Sequence, residues 1–196
     1  MKIWRLAADV NQYANFTSNP KLTHDQMLSF DGRSKIEHWN PPVLQRIESD
    51  SSPVGDAVGF DMGFLVSENA VSLFSDLCPK SIEFLPLYYG NTEYYIPNVL
   101  GVVDCLDRQK SKCLYSSGSK QRVLMVNKYA FNEDLIDGKC IFRLKDEPFR
   151  GPFVTEKIVS AIRSSGLSGF CFDLVWDNSV NPERKVSFDG VILREY

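Results

Sequence analysis

The chain is poor in the residues from which most catalytic and zinc-binding apparatus is built. It has two histidines, His24 and His38, neither near a cysteine in sequence, and no C-x-x-C pair, so a structural zinc site is not expected. Positive charge is not in excess: 22 Lys and Arg stand against 25 Asp and Glu, for a formal net charge of -3. That balance gives no global pull toward nucleic acid or an anionic membrane, and it suits a basic partner better. No apolar run approaches the roughly 20 residues that cross a bilayer as a helix. The opening MKIWRLAADVNQYANF breaks its apolar run at Arg5 and again from Asp9 to Gln12, so it holds no signal-peptide core, and the expected location is the cytoplasm. The phosphate-cradling frame G-x-x-x-x-G-K-S/T is missing too; Ser116 to Lys120, SSGSK, reads as a loop. Internal repeats and low-complexity tracts are likewise lacking.

What is present is an ordinary globular composition: 43% hydrophobic, 12% aromatic and 24% charged over 196 residues, enough for one domain with a real core. Five cysteines, at 78, 105, 113, 140 and 171, lie mostly in apolar runs; their odd number and wide spacing favour reduced, buried thiols over a disulfide framework.

Ile3 to Leu6 reads as a first strand, followed by a polar stretch to about Pro20 and a short helix over Asp25 to Phe30. Asp31 to Phe60 reads as a long connection crowded with Ser, Asp, Pro and Gly. Ser67 can cap a helix whose Ala70, Val71, Phe74 and Leu77 recur at helical spacing, and Pro79 prevents its continuation. Ile82 to Tyr88 and Thr92 to Ile96 flank Gly90-Asn91, a two-residue hairpin turn; Pro97 is expected to interrupt the second strand before Val99 to Asp104 resumes it. Arg108 to Gln121 reads as a polar surface excursion, and Arg122 to Val126 and Cys140 to Leu144 as strands. Thr155 opens a second helix with the stripe Ile158, Val159 and Ile162, and Gly166 sits where a left-handed C-terminal residue is expected. In the strand Gly169 to Trp176, alternation puts Phe170, Phe172, Leu174 and Trp176 on one face and Cys171, Asp173 and Val175 on the other. The expected fold is therefore α+β, a mainly antiparallel sheet with a few packed helices in a single domain over 1–177. A tail over 178–196 is expected to pack on it as a hairpin around Asp189-Gly190.

Candidate chemistry is thin. Cys105, in VVDCLDR, could be a nucleophile with His24 or His38 as base and Asp104 or Asp107 as orienting group, yet it ends an apolar strand, where a buried inert thiol is the usual state. His24-Asp25 resembles a metal-binding dipeptide without its companion ligands, and helix initiation explains it more plainly. Arg108, Lys110 and Lys112 form a short basic run that could touch phosphate, but no aromatics are interleaved, so a solvated loop is the simpler account. Tyr88, Tyr89, Tyr94 and Tyr95 are less easily set aside. Alternation puts one tyrosine of each pair in the core and the other at a surface, where exposed aromatics favour protein contacts; cross-strand packing competes with that role.

Taken in order, KIWRL, EHWNPP, GFLVSENAVSLF, IEFLPL, YYIPNVLGVVDCLD, KYAFNEDLI, CIFRLKDEP and FVTEKIVSAIRSSGLSGFCFDLVWD resemble bacterial polymorphic-toxin immunity protein family eleven, from about Lys2 to Asp177. The resemblance implies a cytoplasmic α+β protein that binds and neutralises a cognate secreted antibacterial toxin, encoded by a neighbouring gene, by stoichiometric association and without a cofactor. A basic toxin such as a nuclease would suit the acidic balance. On exposure and chemistry, the expected toxin-binding residues are Trp39, Tyr89, Glu93, Tyr94, Asp107 and Asp177. The alternative is a small cysteine- or metal-dependent hydrolase; a nucleic-acid-binding module using Arg108 to Lys112 is a third.

Overall fold

Alternating apolar residues make β1 (Lys2–Ala8) a strand with two buried faces: Trp4, Leu6 and Ala8 enter one core cluster and Ile3 another. The computed structural model describes residues 1–196 apart from 24–25, 27–29, 48–50, 62, 118, 148–149, 180–186 and 189–190. β1 lies within a six-stranded sheet between β12 (Phe153–Thr155) and β13 (Phe170–Asp177). β14 (Leu193–Glu195) lies at one edge of that sheet, and β11 (Ile141–Leu144) followed by β8 (Val102–Val103) at the other.

A second six-stranded sheet runs in the order β3 (Val43–Arg46), β2 (Asn15–Asn19), β4 (Ala57–Phe60), β5 (Gly63–Val66), β7 (Thr92–Val99), β6 (Ile82–Tyr89). Its end strands, β3 and β6, pack against each other, so the sheet curls almost closed around Phe16, Leu44, Val58, Leu65, Leu85 and Leu87. A two-stranded ribbon of β9 (Lys112–Ser116) and β10 (Ser119–Lys128) contributes Val123 and Val126 to a cluster with Phe142, Phe153 and Val175 of the first sheet. Two pairings, β2 with β4 and β8 with β11, are parallel and the other named pairs are antiparallel, so both large sheets are mixed.

Both helices serve the core between the sheets. In α1 (Glu68–Leu77) the Ser67 side chain accepts from the Ala70 N–H, as a capping serine should, and Ala70 and Phe74 are buried. In α2 (Glu156–Ser165) Ile158, Val159 and Ile162 are buried and Gly166 ends the helix at φ 75°. Thr155 takes the N-cap position without a side-chain cap bond. The larger of these side chains, Phe74, Ile158, Val159 and Ile162, each contribute about 1.5–3 kcal/mol when fully buried.

The seam between the sheets depends on one carboxylate and one glycine. Asp56 accepts from the Ser168 N–H (3.0 Å), the Ser168 hydroxyl (3.2 Å) and the Ser67 hydroxyl (2.7 Å), tying the start of α1 to the start of β13. Gly169, at φ 84°, lies so close to Ala57 that an added Cβ would sit 2.1 Å from its carbonyl oxygen.

Several expectations are corrected. Strands β2, β3 and β9 lie in stretches read as polar connections, because their alternation is carried by Ser, Asn, Gln and Lys as much as by apolar residues. Pro97 sits inside β7 and does not interrupt it: β5 pairs with β7 at Tyr95, so a missing N–H two residues on breaks no bond in that pairing. A bulge between Ile3 and Trp4 pairs Ile3 with Trp176 but Trp4 with Leu174. Trp176 therefore joins Val175 in the ribbon-side cluster, away from Phe170, Phe172 and Leu174. Cys78 and Cys140 are disulfide-bonded across a separation of 62 residues, contrary to the all-thiol expectation, while Cys105, Cys113 and Cys171 are free. β14 pairs with β13, whereas the turn of the expected hairpin at Asp189-Gly190 and most of the helix expected over Asp25 to Phe30 lie outside the described residues.

Candidate functional site

The geometry does not support Cys105 as a nucleophile. It is 1% exposed, and burial pushes its thiol up to about 12, far from the thiolate that such chemistry uses. Its sequence neighbours are engaged elsewhere. Asp104 accepts from Lys145 (2.9 Å) and Arg108 (3.1 Å), and the Lys145 bond first, then Arg108, holds its carboxyl below the usual range. Asp107 pairs with Lys110 (3.1 Å) and also accepts from the Gln109 and Lys110 N–H groups. His38 belongs to the 3-10 turn Ile36–His38, which packs against β6 in the other sheet, while His24 and Asp25 lie outside the described residues. Among the described residues no group of three or more His, Cys, Asp and Glu is placed to hold a metal ion.

The basic run is largely neutralised within the fold. Arg108 donates from Nε to Asp146 Oδ1 (3.1 Å) and from Nη2 to Oδ2 (3.0 Å), a fork-on-fork pairing with a side chain only 5% exposed. With Lys110 on Asp107, two of the three cations of the run already have carboxylate partners.

The β6–β7 hairpin presents chemistry outward. Its two-residue turn sets Tyr89 opposite Thr92, Tyr88 opposite Glu93 and Leu87 opposite Tyr94. Alternation then divides the hairpin into two faces. Leu85, Leu87 and Tyr94 point into the curled sheet, where Tyr94 is 5% exposed against Phe16; Tyr89 shares that face but reaches the rim, edge-on to Phe16 and 42% exposed. Tyr94, expected at the surface, is therefore a core residue, since its cross-strand partner is the buried Leu87. The opposite face carries Tyr88, Glu93 and Tyr95. Tyr88 is 53% exposed and its hydroxyl donates to Glu93 Oε1 at 3.1 Å, a bond that raises the Tyr88 phenol above its ordinary value. Burial, together with the nearby carboxylates of Glu93 and Glu68, pushes Tyr95 up to about 12.

Trp39 adjoins the same strand from another side. Its indole N–H donates to the Pro86 carbonyl (2.8 Å), covering part of the edge of β6, and its ring meets Phe30 edge-on. It lines a groove of about 510 Å³ with Leu22, Phe30, Pro41, Pro42 and Val43, beside Lys35 and His38. The segment is anchored by Glu83, which accepts from Ser34 (2.7 Å), the Lys35 N–H and Asn98 (2.6 Å). Burial pushes the Glu83 carboxyl up, but these bonds outweigh it and hold it below its ordinary value.

The two remaining candidates stand apart from the hairpin. Asp107 follows β8 and is bonded into the loop before β9; Asp177 ends β13 opposite Lys2 and accepts from the Ser179 N–H (2.9 Å) and hydroxyl (2.7 Å). The six expected residues thus form no single surface. Trp39, Tyr89 and Glu93 gather around β6 and β7, Tyr94 lies beneath them, and the two aspartates belong elsewhere. Tyr88 and Tyr95 are among the hairpin tyrosines weighed from sequence but not among the six, and Glu68 is in neither group; counting outward from the Gly90-Asn91 turn puts Tyr88 opposite Glu93.

No helix among the described residues is long and apolar enough to cross a membrane. No curated protein matches the chain. A family model described as an immunity protein family, Imm11, matches residues 7–177.

Proposed function

This chain belongs to the Imm11 immunity protein family, and from that membership we propose that it binds a cognate antibacterial toxin in the cytoplasm and neutralises it by stoichiometric association, not by catalysis. The carrying observation is the extent of the match, residues 7–177, which takes in strands of both large sheets and both helices. The buried thiol of Cys105 and the ion-paired state of Asp104 and Asp107 favour this reading over the hydrolase. The net charge of -3 would speed encounter with a basic toxin, a nuclease being one such class. A packed α+β platform would bind with little ordering cost.

The test is co-expression with the toxin encoded by a neighbouring gene. The chain should restore growth and co-purify at a fixed ratio; continued killing with no co-purification would remove the proposal. The Cys78–Cys140 bond is the feature that fits a cytoplasmic location least, since disulfides are rare there. Trapping thiols in intact cells and then denaturing decides the point: all five cysteines labelled means the bond is open in the cytoplasm, and labelling confined to Cys105, Cys113 and Cys171 means it is closed.

A further inference from the structure

Resting on that reading, we propose that the toxin docks on the β6–β7 hairpin and that the anchor it supplies is an arginine, its guanidinium seated on Glu93 between Tyr88 and Tyr95. Register and alternation put these three side chains on one face, with Glu93 directly opposite Tyr88 and two residues before Tyr95 on the same strand. Glu93 is exposed and organised: it accepts from the Tyr88 hydroxyl at 3.1 Å and shares a face with Tyr95. Both phenols are neutral. Neither Glu93 nor Glu68, the exposed carboxylate nearby at the start of α1, forms an ion pair with any described residue. The face therefore carries one carboxylate with no ion-pair partner, Glu93, beside aromatic rings, with Glu68 adding negative charge from the first turn of α1.

A guanidinium fits that combination better than an ammonium does. Its planar fork can bond a carboxylate through two N–H groups, its face stacks on a phenol ring, and it gives up hydration more readily than a lysine head. The Tyr88 hydroxyl holds Glu93 in place, so less freedom is lost when a cation arrives. Other surfaces fit the same occupant less well. The Trp39 groove has Lys35 and His38 on its wall, and the carboxylates around Arg108 already hold cations.

The experiment measures binding of the full chain to the catalytically inactivated toxin of the neighbouring gene, at several salt concentrations. Wild-type affinity should fall as salt rises. Glu93→Lys should weaken binding about a hundredfold or more, while Glu93→Gln and Tyr88→Ala should each weaken it about tenfold. Asp134→Lys, an exposed acid on the 3-10 turn Glu133–Leu135, should change it less than about twofold. Unchanged thermal unfolding of each variant excludes misfolding as the cause. A charge swap completes the test: Glu93→Arg should regain binding to a toxin whose anchoring arginine is replaced by glutamate. Full-strength binding by Glu93→Lys would overturn the docking site while leaving the immunity reading intact. Failure of the wild-type chain to bind would overturn both.

Discussion

The β6–β7 hairpin and the region around β8, β9 and β10 use the same materials, aromatic rings and carboxylates, to opposite ends. In the β8–β10 region the rings turn inward: Phe131 packs on Tyr129, Phe142, Phe153 and Trp176, and the Tyr129 hydroxyl donates to the buried Glu147 (2.6 Å). Its acids pair with its own bases, Asp104 with Arg108 and Lys145, Asp146 with Arg108, and Asp107 with Lys110. On the hairpin, Tyr88 and Tyr89 stay exposed, and Glu93 is held by one neutral phenol, Tyr88. The contrast teaches that composition does not decide which charges a fold leaves without an internal partner. What matters is whether the charges are already neutralised within the fold, because a carboxylate that already holds an arginine gains little from a second.

The comparison breaks most directly on stability. Phe131→Ala should cost about 3–5 kcal/mol, measured by urea unfolding, because it leaves a cavity among four rings. Tyr88→Ala should stay within about 0.5 kcal/mol, since half its surface is already in water. Comparable losses in the two variants would remove the distinction between the regions.

A smaller effect sharpens the electrostatic side. Asp146→Ala strips the inner partner from Arg108, and because Arg108 is itself 45% exposed the cost should be about 1 kcal/mol. Glu93→Ala should leave the unfolding midpoint unchanged. A midpoint shift for Glu93→Ala as large as that for Asp146→Ala would mean that Glu93 serves the fold and not a partner.

The mildest effect is expected with acid. The folded state holds the Glu83 carboxyl below its ordinary value of 4.5, so its stabilising contribution is fully present above that pH and is lost as pH falls through the lower folded value. Trp39, which follows the segment that Glu83 anchors, should report the loss by fluorescence in a variant retaining it as the sole tryptophan. Glu83→Gln should abolish that acid step. A step that persists in Glu83→Gln would assign the transition to another group.

Much of the frame was legible in sequence. Ser67, Gly166 and the Gly90-Asn91 turn act on backbone groups a few residues away, and each stands where its local chemistry suggested. The site was legible in part. The charge of Glu93 predicts exposure, and it is exposed, but the burial of Tyr94 is not legible, because alternation says that neighbours face opposite ways without saying which way is in. The answer lay in its partner, Leu87. The side of Trp176 is hidden for a related reason: a bulge shifts the period of two by one residue, and nothing in GFCFDLVW announces it.

Sequence by itself determined helix caps, the hairpin turn, the absence of long apolar runs and the motif order that points to an immunity family, because those are properties of neighbours along the chain or of composition. The tertiary structure alone decided which acids are neutralised, which tyrosines face water and which cysteines meet. Arg108 finds Asp146 across 38 residues, Cys78 finds Cys140 across 62 and Asp56 finds Ser168 across 112, and partners that far apart are chosen by how the sheets curl and pack.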